Sequence, residues 1–517
     1  MFRPARAFLL SGAGLLCLAV AQPAEAFVPI ATANQVTNTK NGRNESPAVD
    51  TAGRVVVFVS NSDHVAGVLN APGGAFDHDG SGNAFTSAGA THPDPVCTNC
   101  TSVDDSSGNL YIWRAKKKQS DPANSMRQLT FSSTGGFDAN RFPDVDSKGQ
   151  WLAWDSDRDQ TGGNADENRE IFLMEIDSGT ITQVTSTTGG GGSANQRASI
   201  SDRGSVVAFT STRDFAAVAT CKRPDGTTAC GNGDNNSEVM LYDRAAGTLT
   251  QVTSTTGDGA SANTLAHVSS DGAFVAFQSV ASFGGALTGG VTCSKMGGGA
   301  CANDGNSEIL LYDLELRTLT QITDTIAQSG CNGAGSSEWA EASKKAKYLV
   351  FESTCEDQLN PTGCGACDNN DEIFLVDLKK AEIAQLTISD AGWNRVPRLS
   401  ATGSTIAFES NRDYMNLNNS HNETLFILKR SSTKAVAGLT NRSQVEEDDD
   451  LELAGTTQNP KTQLTTIQFN GGFPAQERIA VSGNGRFVAF ESSKNVGNHE
   501  IWLVDKNKCT HGLPDCQ

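Results

Sequence analysis

The chain has 517 residues, with 52 glycines and 59 acidic against 40 basic residues, for a formal charge of −19. That balance argues against nucleic acid or anionic lipid as a partner, because both require clustered Lys and Arg. The periodic apolar segments are short and rich in Val, Ile, Phe and Thr, a pattern that offers no long amphipathic helix and predicts an all-β protein with many turns.

From the N-terminus, Arg3 and Arg6 precede an apolar run from Ala7 to Ala21, and Ala24-Glu25-Ala26 supplies a small-x-small cleavage pattern. Residues 1–26 therefore read as a signal peptide, and 27–517 as one exported domain, periplasmic or extracellular. No later stretch approaches the roughly 20 apolar residues of a membrane span, so no membrane insertion is expected. The mature chain would carry 38 basic and 58 acidic residues, which reads first as a solvated acidic surface. Apart from Cys17, twelve cysteines remain, an even number that favours disulfides in an exported protein. Close neighbours are Cys97 with Cys100, Cys221 with Cys230, Cys293 with Cys301, Cys364 with Cys367 and Cys509 with Cys516, which leaves Cys331 for Cys355. Zinc on the two Cys-x-x-Cys motifs is the weaker alternative.

Seven copies follow of a pattern that opens with Ser or Asp-x-x-Gly, continues in β-branched or aromatic residues and closes with aromatic-x-Ser; Ala346 stands at the glycine in one copy. The anchors are Phe58, Trp154, Phe209, Phe277, Phe351, Phe408 and Phe490, and the serines are Ser60, Ser156, Ser211, Ser279, Ser353, Ser410 and Ser492. Each repeat divides into four strands: one ending at the turn, one carrying the anchor, a third starting at Glu170, Glu238, Glu308, Glu372 or Glu500, and a fourth ending in Gln-apolar-Thr. Four antiparallel strands repeated radially describe a propeller blade. The seventh repeat lacks a fourth strand, while Gln35-Val36-Thr37 precedes the first repeat. The expected fold is a seven-bladed β-propeller closed by an N-terminal outer strand. In blade six, Gly438-Leu439-Thr440 and Gln463-Leu464-Thr465 both qualify as the fourth strand, the second matching better.

On Ser270-Asp271-Gly272, Phe408-Glu409-Ser410-Asn411-Arg412-Asp413, Glu372-Ile373 and Leu386-Thr387, the chain resembles the TolB-like, WD-type β-propeller repeat family. The resemblance covers nearly the whole mature chain and implies the fold, while the same scaffold hosts binding modules, lyases and accessory domains of peptidases. About 20 mature residues precede the first repeat, which leaves no room for the α/β domain that TolB carries ahead of its blades.

Length variation concentrates at 61–108, 212–236, 280–306 and 441–472, on the face of second-to-third and blade-to-blade connections, so a ligand site is expected on that decorated face. Asp-x-Asn-x-Glu recurs there as Asp166-Asn168-Glu170, Asp234-Asn236-Glu238, Asp304-Asn306-Glu308 and Asp368-Asn370-Glu372. Alternating oxygens of this kind suit calcium; the structural alternative is Asx turns that start the third strand. Asp77, Asp79, Ser81 and Asn83 form a separate calcium-loop fragment, with Ala88 where an EF-hand has its glutamate. Among seven histidines no two have metal-ligand spacing; for His267, just ahead of a Ser-x-x-Gly turn, a structural role is favoured over one facing the central channel. The leading expectation is a monomeric, non-enzymatic propeller binding a protein, peptide or glycan, which predicts no unique buried ionisable cluster. A lyase or hydrolase at the channel mouth predicts convergent His, Asp, Glu or Arg from several blades. A calcium-stabilised surface or adhesion module is the third reading.

Overall fold

A computed structural model describes residues 33–37, 43–61, 96–98, 108–115, 125–132, 139–189, 195–256, 263–283, 289–302, 305–325, 337–355, 370–388, 392–411, 424–430, 439–440, 463–468, 479–492 and 499–505. Seven sheets of four or five strands form the expected blades. Their first strands are Asn44–Val49, Asn140–Val145, Asn195–Ile200, Asn263–Val268, Ser337–Ala342, Asn394–Leu399 and Ile479–Val481. The closing strand is in place: Ala33–Gln35 pairs antiparallel with Glu500–Asp505, Ala33 opposite Val504 and Gln35 opposite Trp502.

The repeat signature is the core of each blade. The seven anchors are at most 1% exposed, and several stack on an aromatic of the third strand, as Trp154 on Phe172 at 5.6 Å and Phe351 on Phe374 at 5.3 Å. Apolar clusters bridge neighbouring blades, joining Ala208 and Leu241 of blade 3 to Val275 and Phe277 of blade 4. The anchor serine pins the first strand from within: Ser211 Oγ donates to Asn195 Oδ1 at 2.7 Å and Ser279 Oγ to Asn263 Oδ1 at 2.9 Å. The threonine of Gln-apolar-Thr accepts from the third strand, as Thr253 Oγ1 does from Val239 N at 2.8 Å. At the ring closure Thr37 takes this role, accepting from Ile501 N at 2.8 Å and donating to Glu500 Oε2 at 2.5 Å.

The turn residue after the first strand caps its own turn, by carboxylate in Asp50 and Asp146 and by hydroxyl in blades such as the third, where Ser201 Oγ accepts from Val206 N at 2.9 Å. The glycine of this turn has two reasons to be glycine, seen at Gly403: φ is +68°, and a Cβ there would sit 2.5 Å from the Tyr348 ring of the preceding blade. Gly403→Ala should therefore cost roughly 2–4 kcal/mol, the sum of left-handed strain and overpacking, read as a shifted denaturation midpoint. Ala346 holds φ +42° at the equivalent place, in the cluster that also packs Phe274.

Two features differ from the sequence reading. Blades 1, 3 and 4 carry a fifth strand, drawn from the long second-to-third connections and parallel to the fourth: Val96–Thr98, Cys221–Lys222 and Thr292–Lys295. The disulfides Cys221–Cys230 and Cys293–Cys301 staple the connections that carry these strands. Cys355 is also disulfide-bonded, and the other expected pairs lie wholly or partly outside the described residues. In blade 6 the fourth strand is Gln463–Gln468, while Leu439–Thr440 pairs in parallel with Thr387–Ile388 beyond blade 5. Its register is shifted, however. Elsewhere the signature glutamine faces the third residue of the third strand, as Gln251 faces Met240, but in blade 6 that residue, Phe426, faces Thr466.

Candidate active or binding site in the central channel

The first strands line the axis of the ring, and six of them break their ladder with a bulge. In each bulge a non-glycine residue takes positive φ: Ser46, Phe142, Arg197, Leu265, Trp339 and Val396, between +49° and +57°. A side chain of the preceding blade holds the bulged N–H in at least three cases. Asp155 Oδ2 accepts from Arg197 N at 2.9 Å, Gln278 Oε1 from Trp339 N at 3.2 Å, and Glu352 Oε2 from Val396 N at 2.5 Å. Because the device recurs, it belongs to the scaffold, which offsets a left-handed cost of about 1–2 kcal/mol per residue. What varies is the side chain each strand presents to the axis.

Two residues before the turn, the seven blades present Ala48, Asp144, Ser199, His267, Glu341, Arg398 and Ala480, all lining one cavity of about 160 Å³. That is room for on the order of five waters at ~30 Å³ each, or for one small polar group. Blades 2, 4, 5 and 6 carry the ionisable members, and Ser199 of blade 3 sits between the first two of them. Backbone N–H groups of the next blade steady three members: Ile200 N donates to Asp144 Oδ2 at 2.8 Å, Val268 N to Ser199 Oγ at 3.2 Å and Leu399 N to Glu341 Oε2 at 3.1 Å. Arg398 Nε donates to Ile479 O at 3.1 Å. Glu341 Oε1 is thus left to the channel, 3.9 Å from His267 Nε2. His267 Nδ1 is buried and has no hydrogen-bond partner among the described residues.

Side chains from the bulges meet across the axis. The Arg197 guanidinium of blade 3 lies between the Phe142 ring of blade 2, at 4.6 Å, and the Trp339 ring of blade 5, at 5.2 Å. Arg398 packs against the same Trp339 ring at 5.5 Å. Two cations and two aromatic faces therefore border the polar ring.

Burial sets the protonation states. Desolvation pushes the His267 imidazole down to about 4, with the Asp144 charge opposing and Arg398 assisting. His267 keeps 31% of its side-chain surface open to the channel, so water there moderates the shift without reversing it. Desolvation raises the Glu341 carboxyl to about 7, against the pull of Arg398 and the Leu399 N–H, and raises Asp144 as well. Near neutral pH the cavity holds an uncharged imidazole beside a carboxyl poised between its two forms.

The acidic loop motifs take a different place. Asp234 is exposed, Asn236 Nδ2 donates to Thr255 Oγ1 at 2.9 Å, and Glu238 accepts from Thr255 N at 2.6 Å and Asn263 Nδ2 at 3.2 Å. Asn306 and Glu308 repeat the pattern on Thr325, and Glu372 accepts from Asn394 Nδ2 at 3.1 Å, with Asn370 buried beside the strand start. Asp77, Asp79, Ser81, Asn83, Asp304 and Asp368 lie outside the described residues. Sequence reasoning favours a structural His267 over one that faces the channel, and it does not join His267 to Asp144, Glu341 and Arg398. Aligning the seven repeats two residues before the turn would have exposed them, as an inward position where chemistry changes from blade to blade. That position belongs to the half of each first strand nearer the tight turns, away from the decorated face on which a ligand site was expected.

No family model matches the sequence, and no curated protein matches it. Among solved structures, the chain is similar to TolB from Acinetobacter baumannii, with 16% identity over 62% of this chain and 57% of that one, at a TM-score of 0.34. An oligogalacturonate lyase in complex with manganese shares 11% identity over 91% of this chain and 92% of that one, TM-score 0.44. An oligogalacturonate lyase from Vibrio parahaemolyticus shares 10% over 92% and 93%, TM-score 0.47. The chain spans 57% of the length of that TolB. None of these likenesses fixes a ligand or an activity for this chain.

Proposed function

We propose that this chain is an exported propeller whose central channel, rather than its decorated face, holds one small polar group of a protein, peptide or glycan ligand. The observation that carries this reading is the non-repeating ring of Asp144, Ser199, His267, Glu341 and Arg398 on strands that share one backbone course. Arg197 and Arg398 supply positive charge, and Trp339 and Phe142 supply faces, so an anionic or hydroxyl-rich group suits the cavity. Export is supported by the N-terminal segment and by the disulfides, which suit an oxidising compartment.

The test is a screen on peptide and glycan arrays at pH 6 and pH 8, with the native protein and Arg398→Ala. Ligands of the channel should bind at least tenfold more weakly to the variant. Anionic ones should also bind more weakly at pH 8, where Glu341 has lost the proton it keeps below about 7 and repels them. Ligands indifferent to both changes would move the site back to the decorated loops.

A second reading, a lyase or hydrolase, is supported by the same ring, since convergent His, Asp, Glu and Arg side chains are what it predicts and the non-enzymatic reading does not, and by one contact within it, His267 Nε2 to Glu341 Oε1 at 3.9 Å. A carboxyl titrating near 7 serves as general base when ionised and as general acid when protonated, with the neutral His267 imidazole beside it as a hydrogen-bonding neighbour, as a lyase or hydrolase requires. Glu341→Gln would then abolish turnover of an array ligand while retaining its binding. The Asp-x-Asn-x-Glu loops are read as strand-initiating structure, with calcium as the alternative occupant, because the described glutamates accept hydrogen bonds from Thr and Asn within the ring.

A further inference from the structure

Three side chains able to bind metal converge where the ring closes, outside the channel. Glu45 comes from the first strand of blade 1, Glu491 from the second strand of blade 7, and His499 immediately precedes the third strand of blade 7. One ligand atom from each lies within 4.8 Å of the others. His499 Nδ1 contacts Glu491 Oε1 directly and stands 3.9 Å from Glu45 Oε1. Glu491 is 2% exposed, His499 13% and Glu45 19%, so the cluster is shielded yet reachable from solvent. Backbone bonding fixes the histidine, since Asn44 N donates to His499 O at 3.1 Å and Arg43 bridges to His499 in parallel.

The same position recurs at other blade junctions with different chemistry. Between blades 2 and 3 it holds Asp155 and Arg169, paired at 2.7 Å. Between blades 5 and 6 it holds Glu352, Asp371 and Arg395, the last two paired at 2.6 Å. In both, an arginine answers the carboxylates. At the closing junction the residue before the third strand is an imidazole, facing carboxylates from two blades. Arg43 does reach Glu45, at 3.1 Å, but with 48% of its side chain exposed.

We propose that Glu45, Glu491 and His499 form a site for a divalent transition ion of the zinc class, which clasps blade 1 to blade 7. One imidazole nitrogen with two carboxylate oxygens is a zinc-type donor set, whereas calcium prefers oxygen alone. Tetrahedral bonds of about 2.0–2.1 Å bring ligand atoms to roughly 3.4 Å from one another, which small side-chain rotations achieve from the present spacing. The ion would tie two strands of blade 7 to the first strand of blade 1 at the junction that the chain ends must close. This site is independent of the channel and of the reading given to it.

The experiment uses the mature protein stripped of metal. Zinc chloride should be retained at one equivalent after gel filtration and should raise the melting temperature by several degrees, while calcium chloride should do neither. Glu45→Gln, on the most exposed of the three ligands, should fold with an unchanged metal-free melting temperature and bind zinc at least tenfold more weakly. His499→Ala should bind none. The proposal is overturned if no zinc is retained, which would leave an ordinary His499–Glu491 ion pair, or if both variants retain it as the native protein does, which would place the ion on other residues such as cysteines.

Discussion

Raising the pH from 5 to 8 should lower the stability of this propeller, the reverse of what paired surface carboxylates produce. Glu238 and Glu308 start their third strands almost fully buried, and desolvation lifts both to about 7 against the hydrogen bonds of Thr253, Thr255, Thr323 and Thr325. In the unfolded chain a glutamate releases its proton near 4.3. Between those values the folded state binds more protons than the unfolded one, so stability is full below about 4.5 and falls as pH rises through 7. Each group contributes on the order of 3 kcal/mol across that window, and Glu170, raised for the same cause, works in the same direction. Asp225, held down to about 2 by Thr228, and His267, pushed down to about 4 by burial, act in the opposite sense; the Asp225 window closes below pH 4, while His267 offsets part of the slope up to about 6.5. Denaturation midpoints at pH 5 and 8 measure the slope. Glu238→Gln imitates the protonated acid, so it should match the native protein at pH 5 and exceed it at pH 8. A gap between Glu238→Gln and the native protein that is the same at both pH values would mean that Glu238 stays ionised inside its blade.

Deleting residues 27–37 should destabilise the ring by at least several kcal/mol while leaving every blade's own signature intact. The loss comprises a strand paired along Val504, Leu503 and Trp502, a Val36 side chain buried to 1% and the two hydrogen bonds of Thr37. Burying a valine is worth about 1.5–3 kcal/mol. Leaving the Glu500 carboxylate and the Ile501 N–H unsatisfied costs roughly 1–3 kcal/mol each. A synthetic peptide spanning 27–42, added in excess, should restore most of the lost melting temperature. An unchanged melting temperature in the deleted protein would show that the ring holds without its seventh outer strand.

Most of the scaffold was legible in the chain because each structural role uses the same residue type in blade after blade. Phe58 to Phe490 mark second strands, Glu170 to Glu500 mark third strands, and Thr37 betrays the closing strand by copying Thr253. The fifth strands were hidden because they pair in parallel with a fourth strand that lies well ahead in sequence, so no local periodicity announces them. Cys221 and Cys293 were the available clue, since each sits in such a strand. The blade 6 register was hidden for a related reason: Gln463-Leu464-Thr465 imitates the signature, but Thr466 occupies its place. The channel escaped for the opposite reason to the blades. Its residues differ between repeats, and a search for recurrence passes over Asp144, Glu341 and Arg398.

Ala33 pairs with Val504, so the first strand of the fold meets its partner across almost the whole chain. At ordinary synthesis rates of about 5–20 residues per second, the partner is made roughly half a minute to a minute and a half later. During that interval the early strand waits, and once Glu500–Asp505 has formed it offers an edge to whichever copy of that strand arrives first. Closure is a race between capture within one molecule and exchange between two, decided by effective concentration against protein concentration. Dilute refolding should yield single rings, and crowded refolding should yield strand-exchanged dimers.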